Sequence, residues 1–138
     1  MDIVVDSSVM LAWLMPDERS ESVQALLSGE EVGSGRLYAP DLIQTEVLNA
    51  VAVACLRRNR ISKSLLEVLL DEFVSFGLVL DTPRPFSYVA LVRLMARYGL
   101  SAYDARYLEL ALRIELPLAT LDRKLSKAAV AEGLTSVC

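Results

Sequence analysis

The sequence predicts an α/β fold: a single-domain three-layer α/β/α sandwich over residues 1–138, built on a short, mostly parallel sheet of four or five strands. Three observations predict it. Short β-branched or apolar runs alternate along the chain with longer segments of helical periodicity, the pattern of strands joined by helical crossovers. The first run, Ile3, Val4 and Val5, is apolar without alternation, as in a strand buried on both faces. A composition of 54% hydrophobic against 23% charged residues covers both faces of a sheet and leaves an excess for a subunit interface. At 138 residues the chain has the length of one domain with one core.

The elements follow in order. Asp6 ends the first strand, and Ser7 and Ser8 lead into a helix-compatible pattern of Val9, Leu11, Ala12 and Leu14. A carboxylate therefore stands at a strand-to-helix junction, the edge at which open α/β sheets collect ligands. Alone, Asp6 or Ser7 would pass for an ordinary N-cap. Pro16, Asp17 and Glu18 predict a helix start, because Pro fits a first turn and acids favour the positive end of the dipole; that helix is expected over residues 16–27. Ser28, Gly29, Gly33, Ser34 and Gly35 mark the most turn-rich segment, and residues 37–39 a second strand closed by Pro40.

A long helix is expected over residues 41–59, with Ile43, Val47, Ala50, Val51 and Ala54 on one stripe. Glu46 rides on that stripe, where an unpaired charge is costly. Arg57, Arg58, Arg60 and Lys63 cluster at its far end, either as cations favoured by a helix C-terminus or as a phosphate-contacting patch. Residues 62–76 read as the next helix, with Leu65, Leu66, Leu69, Leu70 and Phe73 inward and Gly77 as its stop. A third strand at 78–80 and a Pro-rich turn lead to a helix over 86–98 that stops at Gly99. Ser101 then opens another helix as N-cap with Asp104 at N3, a capping box with Asp in place of Glu. Asp104, Leu108 and Ala111 share one side of it. A fourth strand at 117–120 ends at Asp122, followed by a helix over 123–131 and a last strand at 134–137.

The residues that are missing narrow the chemistry. With no histidine, Ser-His-Asp and Cys-His nucleophiles and imidazole zinc sites are excluded. Cys55 and Cys138 form neither a Cys-x-x-Cys motif nor a disulfide framework. No apolar run approaches the roughly 18 residues of a membrane span, and the first strand starts at residue 3, so a cytoplasmic protein without membrane contact is expected.

What remains is carboxylate chemistry. Asp6 and Asp122 end strands at one sheet edge, while Glu46 and Asp104 lie on apolar-facing sides of helices that can reach it. Each acid has a capping or surface explanation, but caps do not require Glu46 to sit on an apolar stripe. Four carboxylates at about 5 Å would repel by roughly 3 kcal/mol per pair at an effective dielectric near 20. A fold stable by only about 5–15 kcal/mol needs protons or a cation there. Without nitrogen or sulfur ligands the fitting ion is Mg²⁺ or Mn²⁺, which points to phosphodiester hydrolysis.

The stretches Val4-Val5-Asp6-Ser7-Ser8-Val9, Pro40-Asp41-Leu42-Ile43-Gln44-Thr45-Glu46-Val47, Ser101-Ala102-Tyr103-Asp104-Ala105 and Ala119-Thr120-Leu121-Asp122 resemble, in this order and spacing, the motifs of PIN-domain nucleases, most closely the VapC toxins. The resemblance covers nearly the whole chain. It implies a Mg²⁺- or Mn²⁺-dependent endoribonuclease, usually a homodimer, held inactive by a VapB-type antitoxin. It assigns Asp6, Glu46, Asp104 and Asp122 as metal-binding catalytic acids and Ser8 and Thr120 as supporting hydroxyls. Leu121 departs from the pattern, standing where relatives often have a polar residue.

Setting those four acids aside leaves 14 acidic against 14 basic residues, so overall charge gives no general attraction to RNA. Local cations must hold the substrate, and Arg57, Arg58, Arg60, Arg106, Arg123 and Lys124 are the candidates. Two rivals stand beside the nuclease. A phosphoryl-handling receiver or phosphatase would need further acids where Ser7 and Ser8 stand. A PIN-like module that binds partners without turnover would keep the fold and lose the chemistry.

Overall fold

A computed structural model describes residues 1–29 and 33–138. Its sheet has five strands, β1 (Ile3–Val5), β2 (Leu37–Pro40), β3 (Val79–Asp81), β4 (Leu118–Ala119) and β5 (Ser136–Val137), in the order β3-β2-β1-β4-β5. Every pairing is parallel. The helices are α1 (Ser7–Leu14), α2 (Glu21–Leu27), α3 (Ile43–Leu56), α4 (Lys63–Ser75), α5 (Tyr88–Tyr98), α6 (Ala102–Ile114) and α7 (Arg123–Ala131). The expected α/β sandwich is therefore the fold, with the sheet parallel throughout.

The three residues of β1 are fully buried, as their unbroken apolar run requires. From β1 the chain builds outward through β2 and β3 on one side, then returns to place β4 and β5 on the other. The order thus reverses between β1 and β4. Strand ends diverge at such a reversal and open a crevice. Asp6 follows β1 and Asp122 follows β4, so both acids flank the crevice. Helices α1 to α4 pack among themselves, while α6 lies on β1, β2 and β4 with α5 and α7 against it.

Several boundaries differ from the sequence reading, each for a local reason. The helix expected from Pro16 begins at Glu21. Met15, preceding a proline, is extended, and Glu18 N–H bonds back to Met15 O at 3.1 Å to make a turn instead. Asp17 pairs with Arg60 at 2.5 Å rather than serving a helix terminus. The long helix stops at Leu56, and Asn59 takes a left-handed φ of 51° while Arg60 N–H closes onto Ala54 O at 2.8 Å. On α4, Leu69 and Phe73 are buried, but Leu65, Leu66 and Leu70 are only half-buried, because the helix lies in an outer layer. Strand β3 runs one residue later than expected, in register with Pro40 and Asp81 opposite each other. The turn-rich segment after α2 includes residues 30–32, which lie outside the described residues.

Candidate active site

Asp6 directly follows β1, beside the reversal of strand order. Its side chain caps α1 by accepting from Val9 N–H at 3.1 Å, as a plain N-cap would. It does more than cap. Ser8 Oγ donates to Asp6 Oδ1 at 2.5 Å and Thr120 Oγ1 donates to Oδ2 at 2.5 Å, so both oxygens are fixed. The same hydroxyls accept from the β4–α7 turn: Ser8 Oγ from Leu121 N–H at 3.0 Å, Thr120 Oγ1 from Asp122 N–H at 3.0 Å. The two strand-to-helix turns are thereby tied through one carboxylate, which is only 4% exposed. Leu121, the departure from the motif, contributes its backbone to this clasp and leaves its side chain 39% exposed.

Glu46 enters from the first turn of α3. Ile43, Val47, Val51 and Ala54 on the same stripe are buried, so the stripe carries Glu46 inward as expected. Its Oε1 accepts a 2.5 Å hydrogen bond from Tyr107 on α6. Asp104 lies one turn before Tyr107, beyond a true N-cap in which Ser101 Oγ accepts from Asp104 N–H at 3.1 Å. Leu108 and Ala111 on the same side of α6 are fully buried, and Asp104 itself is half-buried. Asp122 caps α7, accepting from Lys124 N–H at 2.8 Å and Leu125 N–H at 3.1 Å, and is the most exposed of the four.

Their electrostatics link Asp104 to each of the other three. Burial pushes the Asp6 carboxyl above its ordinary range, against the pull of Ser8, Thr120 and Val9 N–H, and Asp104 adds to the rise. Burial raises Glu46 as well, opposed by Tyr107, with the charges of Asp104 and Asp6 raising it further. Asp104 is raised by burial and then by Asp122, and lowered by Ser101 and Lys124. Asp104 thus stands in the field of the other three. Yet among the described residues no three Asp, Glu or Cys side chains are gathered tightly enough to hold a metal ion as they stand. Asp6, Glu46 and Asp122 each have an oxygen engaged by a protein donor. The donor set itself is all hard oxygen, partly desolvated and short of cations. That set fits a small divalent ion that keeps several of its waters.

The six cations expected to meet substrate fall into three groups. Arg106 is engaged within the protein: it bonds Asp41 at 2.8 Å and lies 5.4 Å from the Phe86 ring centre. Thr82 Oγ1 donates to the same Asp41 at 3.2 Å. Asp41, just before α3, is thereby tied both to α6 through Arg106 and to the segment after β3 through Thr82. Arg57, Arg58 and Arg60 follow the opposite end of α3, whose last residue Leu56 is about 15 Å along the axis from Glu46 at 1.5 Å per residue, and Arg60 is held by Asp17. Arg123 and Lys124 are exposed beside Asp122, with Lys124 Nζ donating to Gly99 O at 3.1 Å. Tyr107 and Asp41 escaped the sequence reading. Tyr107 follows Asp104 by three, which places it on the same helical side, but an aromatic there reads as core.

Five parallel strands in the order β3-β2-β1-β4-β5, with helices packed against them and Asp6 and Asp122 beside the reversal of strand order, define an α/β sandwich domain. The chain belongs to the PIN domain family, whose pattern matches residues 3–131. It is 31% identical over 131 residues to a Pyrobaculum aerophilum protein named Ribonuclease VapC3, covering 92% of this chain and 94% of that one. Among solved structures it resembles PAE2754 from Pyrobaculum aerophilum, with a TM-score of 0.71, 20% identity and coverage of 99% of this chain and 91% of that one. It also resembles FitAcB from Neisseria gonorrhoeae, with a TM-score of 0.67, 18% identity and coverage of 99% and 96%. At those identities the two structures speak for the fold. No helix among the described residues is long and apolar enough to cross a membrane.

Proposed function

We propose that the chain is a Mg²⁺- or Mn²⁺-dependent endoribonuclease that hydrolyses RNA phosphodiester bonds, and that it is the toxin of a VapBC-type pair, a homodimer restrained by a VapB-type antitoxin. The observation that supports this reading is that Asp104 lies in the field of Asp6, Glu46 and Asp122, two of which border the reversal of strand order. Family membership and likeness to a protein named as a ribonuclease support RNA as the substrate.

The four acids would hold the ion. When bound, it supplies a water of lowered pKa and positive charge against a phosphate under attack. The chain's own residues set the stage for that chemistry. Asp6, fixed at both oxygens by Ser8 and Thr120, is an acid that need not reorganise. Asp122, exposed at the N-terminus of α7, is the acid nearest to an incoming strand. Arg123 and Lys124 on the same turn are placed to contact phosphates beside it, while Arg57 and Arg58 could reach RNA only beyond the cleavage point.

The test is cleavage of a pool of structured RNAs with Mn²⁺, with Mg²⁺ and with excess EDTA, by the native protein and by Asp6→Asn. Asn keeps the α1 cap, so the variant is expected to fold and to lose at least about 100-fold in rate. Equal cleavage by both proteins, or cleavage undiminished in EDTA, would overturn the reading. The spread of the acids favours one rival, a PIN-like module that binds partners without turnover. That rival predicts no metal-dependent cleavage by either protein.

A further inference from the structure

We propose that Tyr107 is a positioning residue: its hydroxyl pins one oxygen of Glu46 and so presents the other oxygen to the acidic crevice. The inference rests on the metal-binding reading above and deepens it. Tyr107 is 1% exposed, the largest fully buried side chain of the described residues, yet it ends in a polar group. A buried phenol needs a partner, and this one donates to Glu46 Oε1 at 2.5 Å across 61 residues of sequence. That bond engages Oε1, and the Ser7 side chain is a second hydrogen-bonding neighbour of the carboxylate.

The geometry around the pair gives the bond its purpose. Tyr107 is rooted in α6, which lies on β1, β2 and β4 and carries Asp104 one turn earlier. Glu46 has three rotatable side-chain bonds and comes from α3 in the opposite group of helices. Left free, its carboxylate would have many rotamers and two charged neighbours to avoid. The phenol joins it to the helix that bears Asp104, so two acids from different layers share one rigid support. Ser7, the residue after Asp6, also stands by Tyr107 and Glu46 and extends the same support toward Asp6. Partners that orient a metal ligand are worth about 10- to 100-fold in metal affinity.

The test is Mn²⁺ binding, measured by calorimetry on the purified full chain, for the native protein and the variants Tyr107→Phe, Glu46→Gln and the double variant. Phe keeps the ring and its packing, and a melting curve establishes that the variant is folded. Tyr107→Phe is expected to weaken Mn²⁺ binding about 10-fold. In the Glu46→Gln background the same change is expected to cost less than about twofold, because the hydroxyl then has no carboxylate to orient. Binding by Tyr107→Phe within twofold of native, or an equal loss in both backgrounds, would overturn the proposal while leaving the metal reading intact. A native chain that takes up no Mn²⁺ would overturn the metal reading itself, and this inference with it.

Discussion

The Thr120 hydroxyl works in both directions at once, donating to Asp6 Oδ2 and accepting from Asp122 N–H, in a position only 1% exposed. Thr120→Val keeps the shape and removes both bonds, leaving a buried carboxylate oxygen and a backbone N–H unpaired. The expected loss is about 1–3 kcal/mol in a urea titration, whereas Thr120→Ser, which keeps the hydroxyl, should lose less than half of that. Equal losses for the two would mean that the methyl packing and not the hydroxyl matters. Residues of this kind divide what sequence reveals from what it hides. Glu46 was legible because a charge on an apolar stripe contradicts its surroundings, and Asp6 and Asp122 because strands end on them. Ser8 and Thr120 carried no such contradiction and entered only through the family resemblance. Tyr107 was hidden altogether, since nothing local tells a buried ring from a buried ring whose hydroxyl meets an acid 61 residues away.

Helix starts show the same division one level up. Four of the helices are capped by a side chain that bonds to their first turn: Asp6, Ser62, Ser101 and Asp122. All four stood where a polar residue precedes an apolar period, and all four starts were read to within a residue. The start of α2 was misplaced by five residues, because Pro16, Asp17 and Glu18 have the composition of a first turn while Asp17 is drawn away by Arg60. A long-range ion pair leaves no local trace. Ser20, the actual N-cap of α2, makes no capping bond and lies instead 2.9 Å from Ser22 Oγ. Ser62 Oγ, by contrast, accepts from Leu65 N–H at 3.1 Å. Ser62→Ala is therefore expected to destabilise by about 1 kcal/mol, and Ser20→Ala by no more than a few tenths. Chemical denaturation of both variants checks the contrast, and a larger loss at Ser20 would contradict the observed caps.

Across the whole molecule the acids divide into two groups with opposite pH dependence. Asp41 and Asp17 are held below their ordinary range, first by hydrogen bonds from Arg106 and Arg60 respectively, so what they contribute is present above an unfolded value near 4 and lost as pH falls. Asp6, Glu46 and Asp104 are raised, first by burial. A raised acid stabilises the fold fully below its unfolded value and progressively ceases to do so as pH climbs through its folded value. Without metal, stability should therefore fall on both sides of a maximum that lies above about pH 4, the second limb setting in as pH climbs through the raised values of Asp6, Glu46 and Asp104. A divalent ion held by the ionised acids, as proposed, would reverse the second limb, because its binding free energy would add to the folded state alone and grow as the acids lose their protons. Melting temperatures taken from pH 3 to 9 in EDTA should show that maximum, and excess Mn²⁺ should move it to higher pH. Asp104→Asn removes the charge that the other three acids share as neighbour, and should raise metal-free stability at pH 8 by on the order of 1 kcal/mol, the usual sign when an active-site charge is removed. Curves in EDTA and Mn²⁺ that fall in parallel would mean that the ion does not meet these carboxylates.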